Sequence, residues 1–138
     1  MKKSKIFFDN IYEGKKVLIT GDTGFKGSWL SLWLIKLGAL VYGYALPPKT
    51  PMDNFVKTGL NNYITHLNGD VRNGEKLLNY FQKVKPDFAF HLAAQPLVIE
   101  SYLNPHSTFE TNLLGTVNFF EAVRKTPSVK VAINITSD

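Results

Sequence analysis

Residues 17–33 read VLITGDTGFKGSWLSLW, and three glycines, Gly21, Gly24 and Gly27, fall three apart where a β-branched, apolar run gives way to a bulky apolar segment. The residues leading in, KKVLIT (15–20), are continuously apolar once started and predict a strand buried on both faces. Those following predict a helix over 26–37, stopped by Gly38. A glycine-rich turn between a strand and a helix lets backbone approach a pyrophosphate, whose charge the free N–H groups and dipole of the helix start can hold. The spacing alone also suits a tight turn with close helix–strand packing. Its position after a strand and before a helix is the context that a dinucleotide fingerprint requires.

Outward from this turn the pattern repeats. ALVYGYAL (39–46) predicts a second strand, closed by Pro47 and Pro48, which cannot continue a ladder. Residues 49–62 read as loop with one helical turn, and YITHLNGD (63–70) as a short third strand. GEKLLNYFQKV (74–84) places Leu77, Leu78, Phe81 and Val84 on one helical face, ended by Lys85 and Pro86. DFAFHLAA (87–94) predicts a fourth strand and VKVAINITSD (129–138) a fifth. Between them a long helix is expected over 107–125, with Phe109, Leu113, Val117, Phe120 and Val123 at helical intervals. Strands alternating with helices imply right-handed crossovers and an α/β, Rossmann-type, doubly wound parallel sheet in three α/β/α layers, with strand order 3-2-1-4-5.

Composition narrows the function. One domain's worth of chain, 138 residues, is enough to bury a core, and the absence of cysteine excludes a disulfide framework or a thiolate metal site. His66, His91 and His106 lack ligand spacing, and lone histidines are more often structural, so no metal is expected. The basic start MKKSKIFFDN has no apolar segment behind it, and residues 29–37 are interrupted by Ser31 and Lys36 and too short to span a bilayer. The expectation is a cytoplasmic protein with no membrane partner. The net charge of +5 comes from lysines scattered from Lys2 to Lys130 without an arginine-rich stripe, which argues against nucleic acid and suits a small anionic ligand or a plain solvated surface.

The motifs carry a resemblance. Thr20-Gly21-x-x-Gly24-x-x-Gly27 resembles the short-chain dehydrogenase/reductase superfamily rather than dehydrogenases with G-x-G-x-x-G. Gly69-Asp70-Val71 resembles its adenine-contacting pair, with Asp70 accepting from the adenine amino group, although a turn-capping aspartate would look the same. His91-Leu92-Ala93-Ala94-Gln95 resembles the extended subfamily's segment beside the nicotinamide ribose, and residues 108–124 its helix with Thr111 and Asn112 facing the site. The longer segments GKKVLITGDTGFKGSWLSLWLIKLGALVYGYAL, HLAAQPLV, SYLNPHSTFETNLLGT and NITSD together resemble the CDP-glucose 4,6-dehydratase family. The candidate cofactor contacts are then Gly21, Thr23, Gly24, Phe25, Lys26, Gly27, Tyr44, Asp70, Val71, Leu92, Ala93, Ala94, Gln95 and Thr111.

Two positions depart from that family, and a third lacks a usual dinucleotide contact. Asp22 stands where the family usually has His and adds negative charge close to a phosphate loop; VIES (98–101) lacks the usual basic residue; and Tyr44-Ala45-Leu46 offers no carboxylate for a ribose 2′-hydroxyl. No arginine for a 2′-phosphate stands there either, so the choice of NAD rests on the resemblance.

The resemblance implies dehydration of CDP-glucose to CDP-4-keto-6-deoxyglucose, in deoxysugar and surface polysaccharide biosynthesis, by a closed redox cycle. C4 is oxidised first because only a neighbouring ketone acidifies the C5 proton; water leaves across C5 and C6, and C6 is then reduced. Ser137 matches the residue that hydrogen-bonds the C4 oxygen and Asp138 the acid for the departing C6 hydroxyl, a role needing a raised pKa. The resemblance implies that the family's catalytic Tyr-x-x-x-Lys pair lies beyond residue 138, so residues 1–138 are expected to be a truncated NAD-binding domain of a longer, homo-oligomeric enzyme. A nucleotide-sugar epimerase or reductase of the same fold, or a non-catalytic dinucleotide-binding module, are the competing readings.

Overall fold

The computed structural model describes residues 8–136. After a turn at Phe8–Asn10, the chain runs β1 (Lys16–Thr20), α1 (Phe25–Lys36), β2 (Leu40–Ala45), the short α2 (Asn54–Lys57), a 3-10 turn (Leu60–Asn62), β3 (Thr65–Asn68), α3 (Gly74–Val84) and β4 (Phe88–His91). Then follow α4 (Val98–Leu103), α5 (Pro105–Phe109), a π turn (Glu110–Leu114), α6 (Gly115–Arg124) and β5 (Val131–Asn134). The sheet has the expected order β3-β2-β1-β4-β5, and every ladder is parallel.

Alternation along the strands splits the core into two layers. Val17, Ile19, Val41 and Phe90 pack under α1 through Leu34. Leu18, Tyr44 and Ala89 point to the opposite face and pack against Leu77 and Phe81 of α3 and Phe119 and Ala122 of α6. At the amino-terminal end of the sheet, Tyr12 lies on Phe88 with ring centroids 5.1 Å apart, and Phe8 meets Trp33 edge-on at 5.6 Å.

α3 has the predicted bounds for local reasons: the Asn73 side chain caps it by accepting from the Lys76 N–H, and Lys85 closes it in the left-handed region at φ 52°. Each strand is shorter than the apolar run that announced it. The helix expected over 107–125 is instead α5, the π turn and α6. Its expected core stripe is corrected as well. Phe109, Leu113, Val117 and Phe120 are exposed, and Gly115, Phe119 and Ala122 face the sheet. Both stripes have helical spacing and in α6 are two faces of one helix, so periodicity alone does not decide which of them the sheet covers. α4 covers residues to which the sequence pattern assigns no element.

No helix among the described residues is long and apolar enough to cross a membrane. No group of three potential metal ligands occurs among them either.

Candidate functional site

In a parallel sheet the carboxyl ends of all strands open onto one rim. There the chain leaves β1 through Gly21, whose φ of 81° suits glycine, and whose N–H donates to the carbonyl of Tyr44 at 3.0 Å. A Cβ on Gly21 would stand 2.7 Å from the Ala93 nitrogen. One on Gly27 would overlap the Gly21 carbonyl. These two glycines let strand, loop and helix touch backbone to backbone. Gly24 differs: it is exposed, its added Cβ would approach only the Gly21 oxygen, at 3.3 Å, and it caps α1 without a side-chain hydrogen bond. The start of α1 therefore presents open backbone to the rim, flanked by the exposed Phe25 and Lys26. Thr23 ties the loop down by donating from Oγ1 to the Leu46 carbonyl at 2.8 Å.

Beside this loop, Tyr44 is fully buried, and its hydroxyl donates to the Asp70 carbonyl at 3.0 Å. Burial, with the Asp70 charge nearby, pushes its pKa up to about 12. Tyr44 thus props the segment after β3 from beneath, and a Cβ on Gly69 would collide with its ring. The Asp70 carboxylate receives Nε and Nη2 of Arg72 at 3.0 and 2.7 Å and its backbone N–H at 2.9 Å. The Arg72 hydrogen bonds hold its carboxyl below the usual range. Val71 is buried against Gly115, where an added Cβ would lie 2.7 Å from Val71 Cγ2.

The segment after β4 is held at both ends. Leu92 N–H donates to the Thr20 carbonyl at 3.0 Å and Ala93 N–H to Thr20 Oγ1 at 3.4 Å. Asn112, in the π turn, accepts from Gln95 N–H at 2.7 Å and donates to its carbonyl at 3.0 Å. Gln95 folds over this loop, donating to Leu97 O and Thr108 Oγ1. Ala94 is exposed beside it, and Thr111 lies half-buried in the same π turn. An open cleft of about 590 Å³ runs from Ala93 and Ala94 past Asn112 to Thr136. Another recess, about 490 Å³ along β3 and α3, includes no residue of the glycine loop.

Two histidine arrangements were not legible in the sequence. His91 is buried, its Nδ1 2.6 Å from Thr20 Oγ1 and its Nε2 3.3 Å from Thr116 Oγ1, and it stacks on Phe119 with centroids 4.7 Å apart. Thr116 Oγ1 itself donates to Asn112 O at 2.7 Å, so it accepts from His91 Nε2–H, and Thr20 donates to Nδ1. Burial pushes the His91 pKa down to about 4, consistent with this neutral tautomer. His66 lies 2.7 Å from the buried Asp22. Period and motif signal neither contact, because each joins residues far apart in the chain. Ser137 and Asp138, the expected catalytic pair, lie outside the described residues.

Comparison with known proteins gives the same frame. The chain is 49% identical over 129 residues to a CDP-glucose 4,6-dehydratase from Salmonella typhimurium, covering 94% of this chain and 36% of that protein. It is 37% identical over 111 residues to a CDP-paratose 2-epimerase from Salmonella typhi, covering 80% and 33%. The chain thus spans about a third of the length of these curated relatives. Among solved structures it superposes on an epimerase from Methanothermobacter thermautotrophicus with TM-score 0.77 at 29% identity, covering 93% of this chain and 37% of the other. It also superposes on the NAD complex of Thermus thermophilus UDP-glucose 4-epimerase with TM-score 0.71 at 29% identity, covering 84% and 36%. The family model described as GDP-mannose 4,6 dehydratase matches residues 18–138, from the middle of β1 through every rim segment described above, and the chain belongs to that family.

Proposed function

We propose that the chain is the NAD-binding part of an enzyme that dehydrates CDP-glucose to CDP-4-keto-6-deoxyglucose. The observation that carries the substrate is the 49% identity to a CDP-glucose 4,6-dehydratase over nearly the whole chain. The site chemistry fits the cofactor. Gly24 leaves the start of α1 open to a pyrophosphate, and Asp70, its backbone propped by Tyr44 and its carboxylate oriented by Arg72, stands at the rim as an acceptor for an adenine amino group. Gly21, Thr23, Phe25, Lys26 and Gly27 shape the phosphate loop, with Tyr44 and Val71 beneath Asp70. Leu92, Ala93, Ala94, Gln95 and Thr111 form the wall for the nicotinamide ribose.

When bound, NAD supplies the reversible hydride acceptor needed for oxidation at sugar C4 and reduction at C6. In this reading Ser137 hydrogen-bonds the C4 oxygen, and Asp138 gives a proton to the C6 hydroxyl as it leaves. Ordering the two events costs the protein little, since a C5 proton becomes acidic only beside a C4 ketone. The curated relatives are about three times as long, and the reading places the proton-accepting Tyr-x-x-x-Lys pair, the C5 base and the substrate domain in that remainder. The whole enzyme is proposed to be a cytoplasmic homo-oligomer of deoxysugar and surface polysaccharide biosynthesis.

The test is isotopic. Deuterium at C4 of CDP-glucose, given to the enzyme with its remaining domains, is expected at C6 of the keto-deoxy product within the same sugar. Deuterium in free NADH would overturn the closed cycle. A C2- or C4-inverted sugar that keeps its C6 hydroxyl would favour the epimerase reading, which the 37% identity to a CDP-paratose 2-epimerase supports.

A further inference from the structure

Asp22 is the second residue of the glycine loop, and its side chain is fully buried. A buried carboxylate needs a cation or a set of donors. Oδ2 lies 2.7 Å from His66 Nδ1, whereas Oδ1 has no partner among the described residues. Room for the group comes from Gly43 in β2, since a Cβ there would coincide with the carboxylate. Gly43 pairs with His66 in the ladder, so the three residues meet on one face of the sheet. The second ring nitrogen, Nε2, lies 2.9 Å from Asn68 Oδ1. With an oxygen at each nitrogen, the ring satisfies both by carrying a proton on each.

Among the described residues, no other cation pairs with Asp22. α2 contributes the Phe55 ring, edge-on to His66 at 5.3 Å. α3 contributes Tyr80, whose hydroxyl donates to Thr65 O, and Lys76, whose Nζ donates to Asn68 O. Glu75 and Lys83 stand along the same recess as His66. Burial alone would lower the His66 pKa. The hydrogen bond and charge of Asp22, helped by Asn68, outweigh burial and hold it above the ordinary value.

We infer that His66 is a positioning residue, the counter-ion that makes a buried negative charge tolerable under the glycine loop, so that affinity for a dinucleotide falls as pH rises through the titration of this ring. This rests on the NAD-binding reading above. Once His66 is neutral, Asp22 is an uncompensated anion inside the loop that must hold a pyrophosphate, and either direct repulsion or a shift of the loop weakens the complex.

The test is calorimetric titration of the chain with NAD from about pH 5.5 to about pH 9, spanning the ordinary histidine value. His66 is followed in parallel by NMR, in the wild type and in Asp22→Asn and His66→Gln. Wild-type affinity is expected to fall on the order of five- to tenfold, with its midpoint at the NMR pKa of His66. Asp22→Asn should flatten the profile, and His66→Gln should bind weakly even at low pH. A flat wild-type profile with NAD bound, a midpoint that tracks another group, or a His66 pKa at or below about 6.5 would overturn the inference. If either variant fails to fold, the wild-type profile and the His66 titration decide it. No NAD binding at any pH overturns the nucleotide reading and the inference together, which distinguishes that failure from a flat profile.

Discussion

Gly27 in the first turn of α1 rests directly on the carbonyl of Gly21, the residue that follows β1, with no space between them for a methyl group. The helix is thereby seated on the loop rather than above it. Gly27→Ala is expected to destabilise the fold by at least about 2 kcal/mol, because the clash is with backbone and cannot be relieved by a rotamer change. Urea unfolding checks this, and an unchanged midpoint would show that the helix can lift freely.

Gly24→Val separates folding from binding. Gly24 has an extended backbone (φ −73°, ψ 170°) that a β-branched residue adopts readily, and its Cβ would meet nothing nearer than the Gly21 oxygen at 3.3 Å. Stability should fall by only about 1 kcal/mol, the cost of a poor helix cap, so the chain should still fold. NAD binding, measured by calorimetry, should be lost, because the valine would occupy the opening proposed for phosphate. Retained affinity would make this glycine a turn former and nothing more.

His91 sets an acid limit on stability. Its folded-state pKa, near 4, lies below the unfolded value of about 6.5, so the unfolded chain binds more protons between these values. The contribution is complete above about pH 6.5 and is lost as pH falls towards 4, amounting to about 3 kcal/mol. Unfolding free energies at pH 7 and pH 4.5 should differ accordingly, and His91→Asn should remove most of that slope. A His91 ring that NMR finds protonated at pH 6 would contradict Thr20 as the donor to Nδ1.

Gly43 and Asp22 should behave as one unit in a double-mutant cycle. Gly43→Ala pushes a methyl group into the Asp22 carboxylate and is expected to cost about 2 kcal/mol or more. In an Asp22→Gly background the same substitution should cost much less, giving a coupling energy above about 1 kcal/mol. Additive effects would mean that the carboxylate swings away without penalty.

How much of this was visible beforehand depends on the range of each interaction. Strand order follows from short connections and right-handed crossovers, and α3 from its single apolar face and its Asn73 cap, all features carried by neighbouring residues. On 105–124 local reading failed, since α6 carries two apolar stripes of equal period and only packing against the sheet selects one. The glycines were legible as a group, but not their division of labour: only coordinates separate Gly21 and Gly27, pressed against backbone, from the open Gly24. Asp22 read as an unpaired charge close to a phosphate loop because its partner, His66, stands 44 residues away, and a sequence window shows only half of such a pair.

The all-parallel ladder has a kinetic consequence. Thr20 and His91 are register partners 71 residues apart, and a parallel sheet offers no tight hairpin from which pairing could start. Loop-closure entropy must be met before these contacts form, so refolding should be slow for a domain of this size. The glycine loop, the Asp70 turn and the segment after β4 belong to strands that come together only at that step. A nucleotide therefore has nothing to bind on a partly folded chain, and adding it should slow unfolding while leaving the rate of refolding almost unchanged.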